Sequence, residues 1–196
     1  MNSNKKMNTS EKIMMAAIDL MAEHGYNGVS TQEIATRAGF SEKTLFRHFQ
    51  SKQNLLESAF NRYHYAEEMK ELFLKKIVWD LQKDLLMVCR RYHRIMYQNR
   101  KLIKISTKVG DSLPGFRERT HQHPQQLKEF LTGYFEEMYK KGKIIETDFE
   151  SNAKAFLYMN FGAALGRMNN DPVFSDAPID SFIEASVSIF TRALRP

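Results

Sequence analysis

Ser30 to Leu55 reads STQEIATRAGFSEKTLFRHFQSKQNL, and the order of signals in this stretch decides the fold. Ser30 with Glu33 makes a capping box, which opens a helix, and Ile34, Ala35 and Ala38 give that helix an apolar side. Gly39 ends it. Ser41 caps the next helix, in which Leu45 and Phe49 lie four residues apart on one face. Ser51 caps another, with Leu55 inward. Two short helices joined through a glycine turn, the second crowded with polar and charged side chains, form a helix–turn–helix pattern.

Outward from this stretch the chain keeps a helical rhythm. Upstream, Ser10 can cap a helix with Ile13, Ala17, Leu20 and Met21 on one face and Gly25 at its end; residues 1–9 read as a loose tail. Downstream, the helix opened by Ser51 carries Ala59 and Phe60 inward and can run on past Met69 and Phe73. Ile77 to Asn99 repeats the pattern through Leu81, Leu85, Val88, Tyr92, Ile95 and Met96. A shorter piece, Lys101 to Val109, precedes an expected break from Gly110 to Pro124. Gln125–Lys141, Phe149–Met168 and Ile179–Leu194 read as three further helices, with a loop at 169–178. Period-2 alternation is never sustained, so the expectation is an all-α chain. It divides into a helix–turn–helix domain of three helices at 1–56 and a helical domain at 57–196.

Composition narrows the classes. With 196 residues, 42% hydrophobic and 27% charged, the chain can bury a core of its own. Met1–Ser10 is polar rather than a secretory leader, and no apolar run approaches the ~20 residues that span a bilayer. Cys89 is the sole cysteine, which excludes an intrachain disulfide and fits a cytoplasmic protein. The histidines His24, His48, His64, His93, His121 and His123 fall in no metal-ligand pattern, and no nucleophile elbow or Walker loop occurs. The expectation is therefore no enzyme, no metal and no cofactor. The net charge of +6 is unevenly spread. Residues 1–60 hold seven basic and six acidic side chains, 61–108 twelve and five, and 109–196 ten and twelve. Bulk charge thus does not lie in the helix–turn–helix.

Function must then rest on placed side chains. Leu45 and Phe49 brace the second helix from behind. Its front offers Glu42, able to accept from cytosine N4, Lys43, able to donate to guanine or a phosphate, and the polar Arg47 and His48. Ser41 and Thr44, with the free N–H groups of the first turn, suit phosphate contacts. Thr31 can hold a phosphate and Gln32 can reach the groove, while Lys52 and Arg37 can clamp the flanking backbone. A plain helical bundle with solvated charges is the alternative at this level. A helical adaptor, or a small-molecule binding protein without sequence-specific DNA binding, is the rival function.

Residues 10–56 resemble the N-terminal domain of the TetR family of bacterial transcriptional regulators. The resemblance rests on Gly25, Thr31, Ile34, Ala35, Ala38, Gly39, Ser41, Thr44, Leu45, Phe49, Ser51, Lys52 and Leu55. It implies that Thr31, Gln32, Lys43, Thr44, Phe46, His48 and Lys52 face DNA. Two positions depart from the family habit. Phe46 stands where a tyrosine usually contacts a phosphate, and Lys43 where a small residue is common.

The resemblance also implies a homodimer on palindromic operator DNA, a repressor released by a small apolar or amphipathic ligand. A dimer face is expected from the last two helices: Ala153, Leu157, Phe161, Ala164 and Leu165 with Phe182, Ile183, Val187, Phe190 and Leu194. Tyr92, Met96, Phe116, Phe130, Tyr134, Tyr158 and Phe161 are the expected ligand-lining residues, each equally readable as core. The basic run Arg90, Arg91, Arg94, Arg100, Lys101, Lys104 and Lys108 can hold an anion, steer the protein to DNA or serve as solvated surface.

Overall fold

The computed structural model describes residues 7–63, 66–109, 113–172 and 178–196. Parts of four expected features lie outside them: the tail at 1–9, the passage through residues 64–65, the start of the break at 110 and the centre of the loop at 169–178. Ten α-helices are defined among the described residues. They are α1 (Thr9–His24), α2 (Thr31–Ala38), α3 (Glu42–Phe49), α4 (Lys52–Tyr63), α5 (Ala66–Lys75), α6 (Leu81–Gln98), α7 (Arg100–Val109), α8 (Phe116–Lys140), α9 (Phe149–Met168) and α10 (Ile179–Ala193). The described residues hold no strand, so the chain is all-α.

The helices pack into two compact units, one of residues 1–64 and 99–120, the other of 65–98 and 121–196. In the first, α1 packs against α2, α3, α4 and α7, α2 packs against α3, and α3 against α4. Ile13, Met21, Ile34, Leu45 and Leu55 are fully enclosed there, joined by Leu102 and Ile105 of α7 and by Phe116 at the start of α8. In the second, α6 packs on α5, α9 and α10, and α9 on α10. Phe135, Phe156, Met69, Leu85 and Ile95 are its largest enclosed side chains.

Local chemistry explains most boundaries. Ser30 and Glu33 close their capping box, Ser41 Oγ accepts from Thr44 N–H, and Ser51 Oγ accepts from Asn54 N–H. Gly39 takes φ of 80°, a left-handed cap that a side chain would strain. Three expectations need correction. Asn8, not Ser10, caps α1, because its side chain completes a capping box with Glu11. α6 begins at Leu81 rather than Ile77. Fully buried Asp84 accepts from the Val78 and Asp80 N–H groups, which folds the preceding segment into a cap instead of a helical turn. The break expected to run to Pro124 ends early, since α8 starts at Phe116 and carries Pro124 inside it. A proline inside a helix costs about 3 kcal/mol. Burying Phe116 against Phe60 and the rest of the first core favours the early start.

Candidate nucleic-acid interface

α3 is an eight-residue helix held from one side. Leu45 and Phe49 are buried beneath it, and its other side presents Lys43, Phe46 and Arg47 to solvent. These three fall at i, i+3 and i+4, so they share a face. Phe46 is 43% exposed, which leaves an aromatic ring among cations on an open surface. Lys43, Arg47 and Arg37 of α2 have no ion-pair partner among the described residues. Long cationic side chains without partners are free to reach phosphates or base edges.

Other expected contacts are already engaged within the fold. Thr31 Oγ1 donates to Glu42 Oε1 at 2.6 Å, so the first residues of α2 and α3 are tied together. Ser41 and Thr44 hydroxyls lie 3.0 Å apart. Gln32 Nε2 donates a long bond, 3.4 Å, to Thr36 Oγ1 and otherwise stays exposed. His48 Nδ1 shares a 3.1 Å hydrogen bond with Ser10 Oγ of α1. Lys52 Nζ donates to the Val29 carbonyl at 2.6 Å and sits 4.3 Å from the centroid of the Tyr26 ring. Desolvation lowers the Lys52 pKa, partly offset by the Glu33 charge. Sequence reasoning missed Ser10, Tyr26 and Val29 as partners. Their bonds span long stretches of chain and leave no local signature.

The residues expected to line a ligand site do not gather in one place. Phe116 belongs to the core of the first unit. In the second, Phe130 stacks on Phe73, and Tyr134 stacks on Trp79 while donating to Asp84 Oδ2 at 2.9 Å. Burial and the Asp84 charge push the Tyr134 phenol well up. Tyr92 and Met96 are buried on α6; Tyr158 (73% exposed) and Phe161 point outward from α9.

The expected dimer face divides in the same way. Ala153, Ala164, Ile183, Val187, Phe190 and Leu194 are buried within the chain. Leu157, Leu165 and Phe182 are half-buried and Phe161 is exposed. Tyr158 and Ile189 extend this outward apolar stripe. Three of the seven residues of the basic run form ion pairs with described residues: Arg90 with Asp180 and Glu184, Arg91 with Glu68, and Lys101 with Asp19.

A second, unexpected group lies in the second unit. Asn160 Nδ2 donates to the Phe156 carbonyl, while Asn160 Oδ1 accepts from Cys89 Sγ at 3.3 Å and lies 3.0 Å from His93 Nε2. Beside it, a cleft of about 550 Å³ is lined by Arg90, His93, Arg94, Met96, Tyr97, Ala164, Arg167, Met168, Ile179, Asp180 and Ile183. Cys89 and His93 lie one turn apart on α6, a signal the sequence offered. Burial pushes the Cys89 thiol up to about 12. The described residues hold no cluster of three or more metal-ligating side chains, and no helix among them is long and apolar enough to cross a membrane.

Fold and surface together define a helix–turn–helix regulator with a C-terminal helical bundle. Residues 13–59 match the model of the bacterial regulatory proteins of the tetR family, and residues 83–196 match that of the AefR-like transcriptional repressor C-terminal domain. The chain belongs to the TetR family of bacterial transcriptional regulators. It is 27% identical over 186 residues to YvkB, an uncharacterized HTH-type transcriptional regulator of Bacillus subtilis, covering 95% of this chain and 97% of YvkB. NalD, the secondary repressor of the MexAB-OprM multidrug efflux pump in Pseudomonas aeruginosa, has the same fold. Its TM-score is 0.78 at 21% identity, over 95% of this chain and 96% of NalD. FadR of Bacillus subtilis, solved in complex with stearoyl-CoA, superposes with a TM-score of 0.76 at 19% identity, over 93% of this chain and 97% of FadR.

Proposed function

We propose that this regulator is a repressor that binds palindromic operator DNA as a homodimer and is released by a small apolar or amphipathic ligand. Residues 1–56 read the DNA, and 57–196 serve the effector and the dimer. The observation that carries the reading is α3, seated by Leu45 and Phe49 and presenting Lys43, Phe46 and Arg47 outward. A helix braced in this way can enter a major groove as a rigid body.

Within the DNA-facing set the roles separate. Lys43 and Arg47 reach bases or phosphates, with Gln32 and Arg37 flanking them from α2. Phe46 packs on sugar or a thymine methyl, since it has no hydroxyl for a phosphate. Thr31, Glu42, Ser41, Thr44, His48 and Lys52 hold the geometry of the turn and place N–H groups and hydroxyls near the backbone.

Two heads are needed because eight residues of α3 make few contacts; two half-sites combine their energies. The outward stripe of Tyr158, Phe161, Leu165, Phe182 and Ile189 supports the last two helices as the contact between subunits. The effector role falls to the second unit, where Tyr92 and Met96 lie one turn apart on α6. FadR, with its stearoyl-CoA, supports a ligand with a long apolar part. In the first unit α7 packs on α1 through Leu102 and Ile105 and through the Lys101–Asp19 ion pair of 2.7 Å. A shift of α7 would therefore move the support of the reading helices, which supplies the differential affinity that release requires.

The test is a nuclease footprint on DNA flanking the regulator's own coding sequence, at stated salt because the phosphate contribution depends on it. A protected region with two-fold symmetry is expected. Binding without sequence preference at every salt concentration would refute the proposal.

A further inference from the structure

The cleft between α6, α9 and α10 has a chemistry of its own. Arg90 and Arg94 of α6 and Arg167 of α9 put three guanidinium groups around it, against Asp180 in the lining and Glu184 beside Arg90. Arg90 is occupied by Asp180 at 3.6 Å and Glu184 at 3.5 Å. Arg94 has no such partner among the described residues. The remaining wall is apolar, through Met96, Met168, Ile179 and Ile183.

His93 gives the cleft a titratable ring. His93 is only 7% exposed and lines the cleft. Its tautomer follows from Asn160. Because Asn160 Nδ2 donates to the Phe156 carbonyl, Oδ1 is the acceptor, and the neutral His93 ring must carry its proton on Nε2. Nδ1 then holds a lone pair, and no residue among those described bonds to it. Because the ring lines a cationic cleft, that lone pair is available to a ligand's proton.

We propose that this cleft binds an organic carboxylate with an apolar body, its carboxylate held by Arg94 at the mouth and its hydrocarbon laid on Met96, Met168 and Ile183. Guanidinium groups bind carboxylates through paired N–H donors, and the volume is that of a small-molecule site. Burial and the Arg167 charge oppose protonation of His93, and a bound carboxylate offsets that charge. The imidazole can then take up a proton at Nδ1 and donate it to the ligand. Binding is therefore coupled to proton uptake and tightens as pH falls through and below the usual histidine value of about 6.5. The facing groups that set this balance are Arg90 and Arg94 on α6, Asn160 and Arg167 on α9, and Asp180 and Glu184 on α10.

The inference does not depend on operator binding, and its test uses no DNA. Straight-chain carboxylates from hexanoate to dodecanoate, and the matching alcohols, are titrated into the full-length protein by calorimetry in two buffers of different ionisation enthalpy. Saturable binding of at least one carboxylate is expected, with the matching alcohol weaker by about tenfold or more. Arg94→Gln, an exposed change that leaves the core intact, should weaken the carboxylate about tenfold, while Lys104→Gln should not. Buffer-dependent heat should report proton uptake, and His93→Gln should abolish that uptake. The proposal is overturned if no carboxylate binds, if alcohols bind as tightly, or if Arg94→Gln and Lys104→Gln act alike. Binding without proton uptake overturns the His93 role.

Discussion

Thr31 Oγ1 donates to Glu42 Oε1 across 2.6 Å, linking the first residue of α2 to the first residue of α3. The bond fixes how the reading helix leaves its turn, and it places the carboxylate near two helix N-termini, where negative charge is favoured. A partly buried hydrogen bond to a charged acceptor contributes about 1.5–3 kcal/mol. A double-mutant cycle of Thr31→Val and Glu42→Gln, measured by urea unfolding, should give a coupling of about 1 kcal/mol or more. Glu42→Ala should weaken operator binding without changing base preference. A coupling near zero, or a new preference at one base pair, would show instead that Glu42 is free to read cytosine.

Lys43 and Lys52 look alike in sequence and differ in the fold. Lys43 is exposed and unpartnered, whereas Lys52 is bound to the Val29 carbonyl and covers Tyr26. Lys43→Ala should leave the melting temperature unchanged. It should reduce specific binding more than non-specific binding if it reads a base, or lower the salt slope by about 0.9 if it contacts one phosphate. Lys52→Ala should cost about 1–2 kcal/mol of stability, from the lost hydrogen bond and cation–π contact. Thermal melts and binding isotherms at three salt concentrations separate these outcomes. An unaltered melt for Lys52→Ala would return that lysine to the phosphate-contacting group.

The reading helices and the helical class were legible because their signals are local. Capping boxes, glycine stops and apolar spacing act within one or two turns, and α9 is bounded as its pattern suggested, at Phe149 and Met168. Helix α8 was misread because the sequence shows the penalty of Pro124 and hides the core into which Phe116 inserts. The candidate site was legible as a polar front but not as a set of partnerships. Thr31 with Glu42, Lys52 with Val29 and His93 with Asn160 are separated by 11, 23 and 67 positions. Only the folded chain tells which of two exposed-looking cations is free.

The Cys89, His93 and Asn160 group predicts a stability profile with losses at both ends of the pH scale. Burial lowers the His93 pKa, helped by Arg167 and opposed by the Asn160 hydrogen bond. The unfolded chain therefore takes up a proton first as pH falls below about 6.5, and stability present at pH 7 is lost on acidification. The Cys89 thiol is raised, to about 12, so the unfolded chain ionises first and stability falls as pH rises above about 9. Each slope approaches about 1.4 kcal/mol per pH unit for one proton. Urea unfolding from pH 5 to 7 should show a smaller slope for His93→Gln than for the wild type. Cys89 should resist alkylation at pH 8 in the folded protein and react once the chain is unfolded. Equal slopes, or rapid native alkylation, would contradict the buried network.

The outward stripe on the last two helices gives the sharpest test of the dimer. Ile189 is 60% exposed and Tyr158 73% exposed, so neither supports the core of its own chain. Ile189→Glu or Tyr158→Glu should leave helix content and unfolding of the isolated chain intact. If two copies meet across this stripe, each change places two like charges in an apolar contact, and the dimer should dissociate. Sedimentation equilibrium should then report a mass near 22.9 kDa, that of one chain. Operator affinity should fall by at least about 100-fold, because two half-sites no longer share one molecule. If the charged variants remain dimers with full operator affinity, the subunits meet elsewhere, and the stripe has another partner.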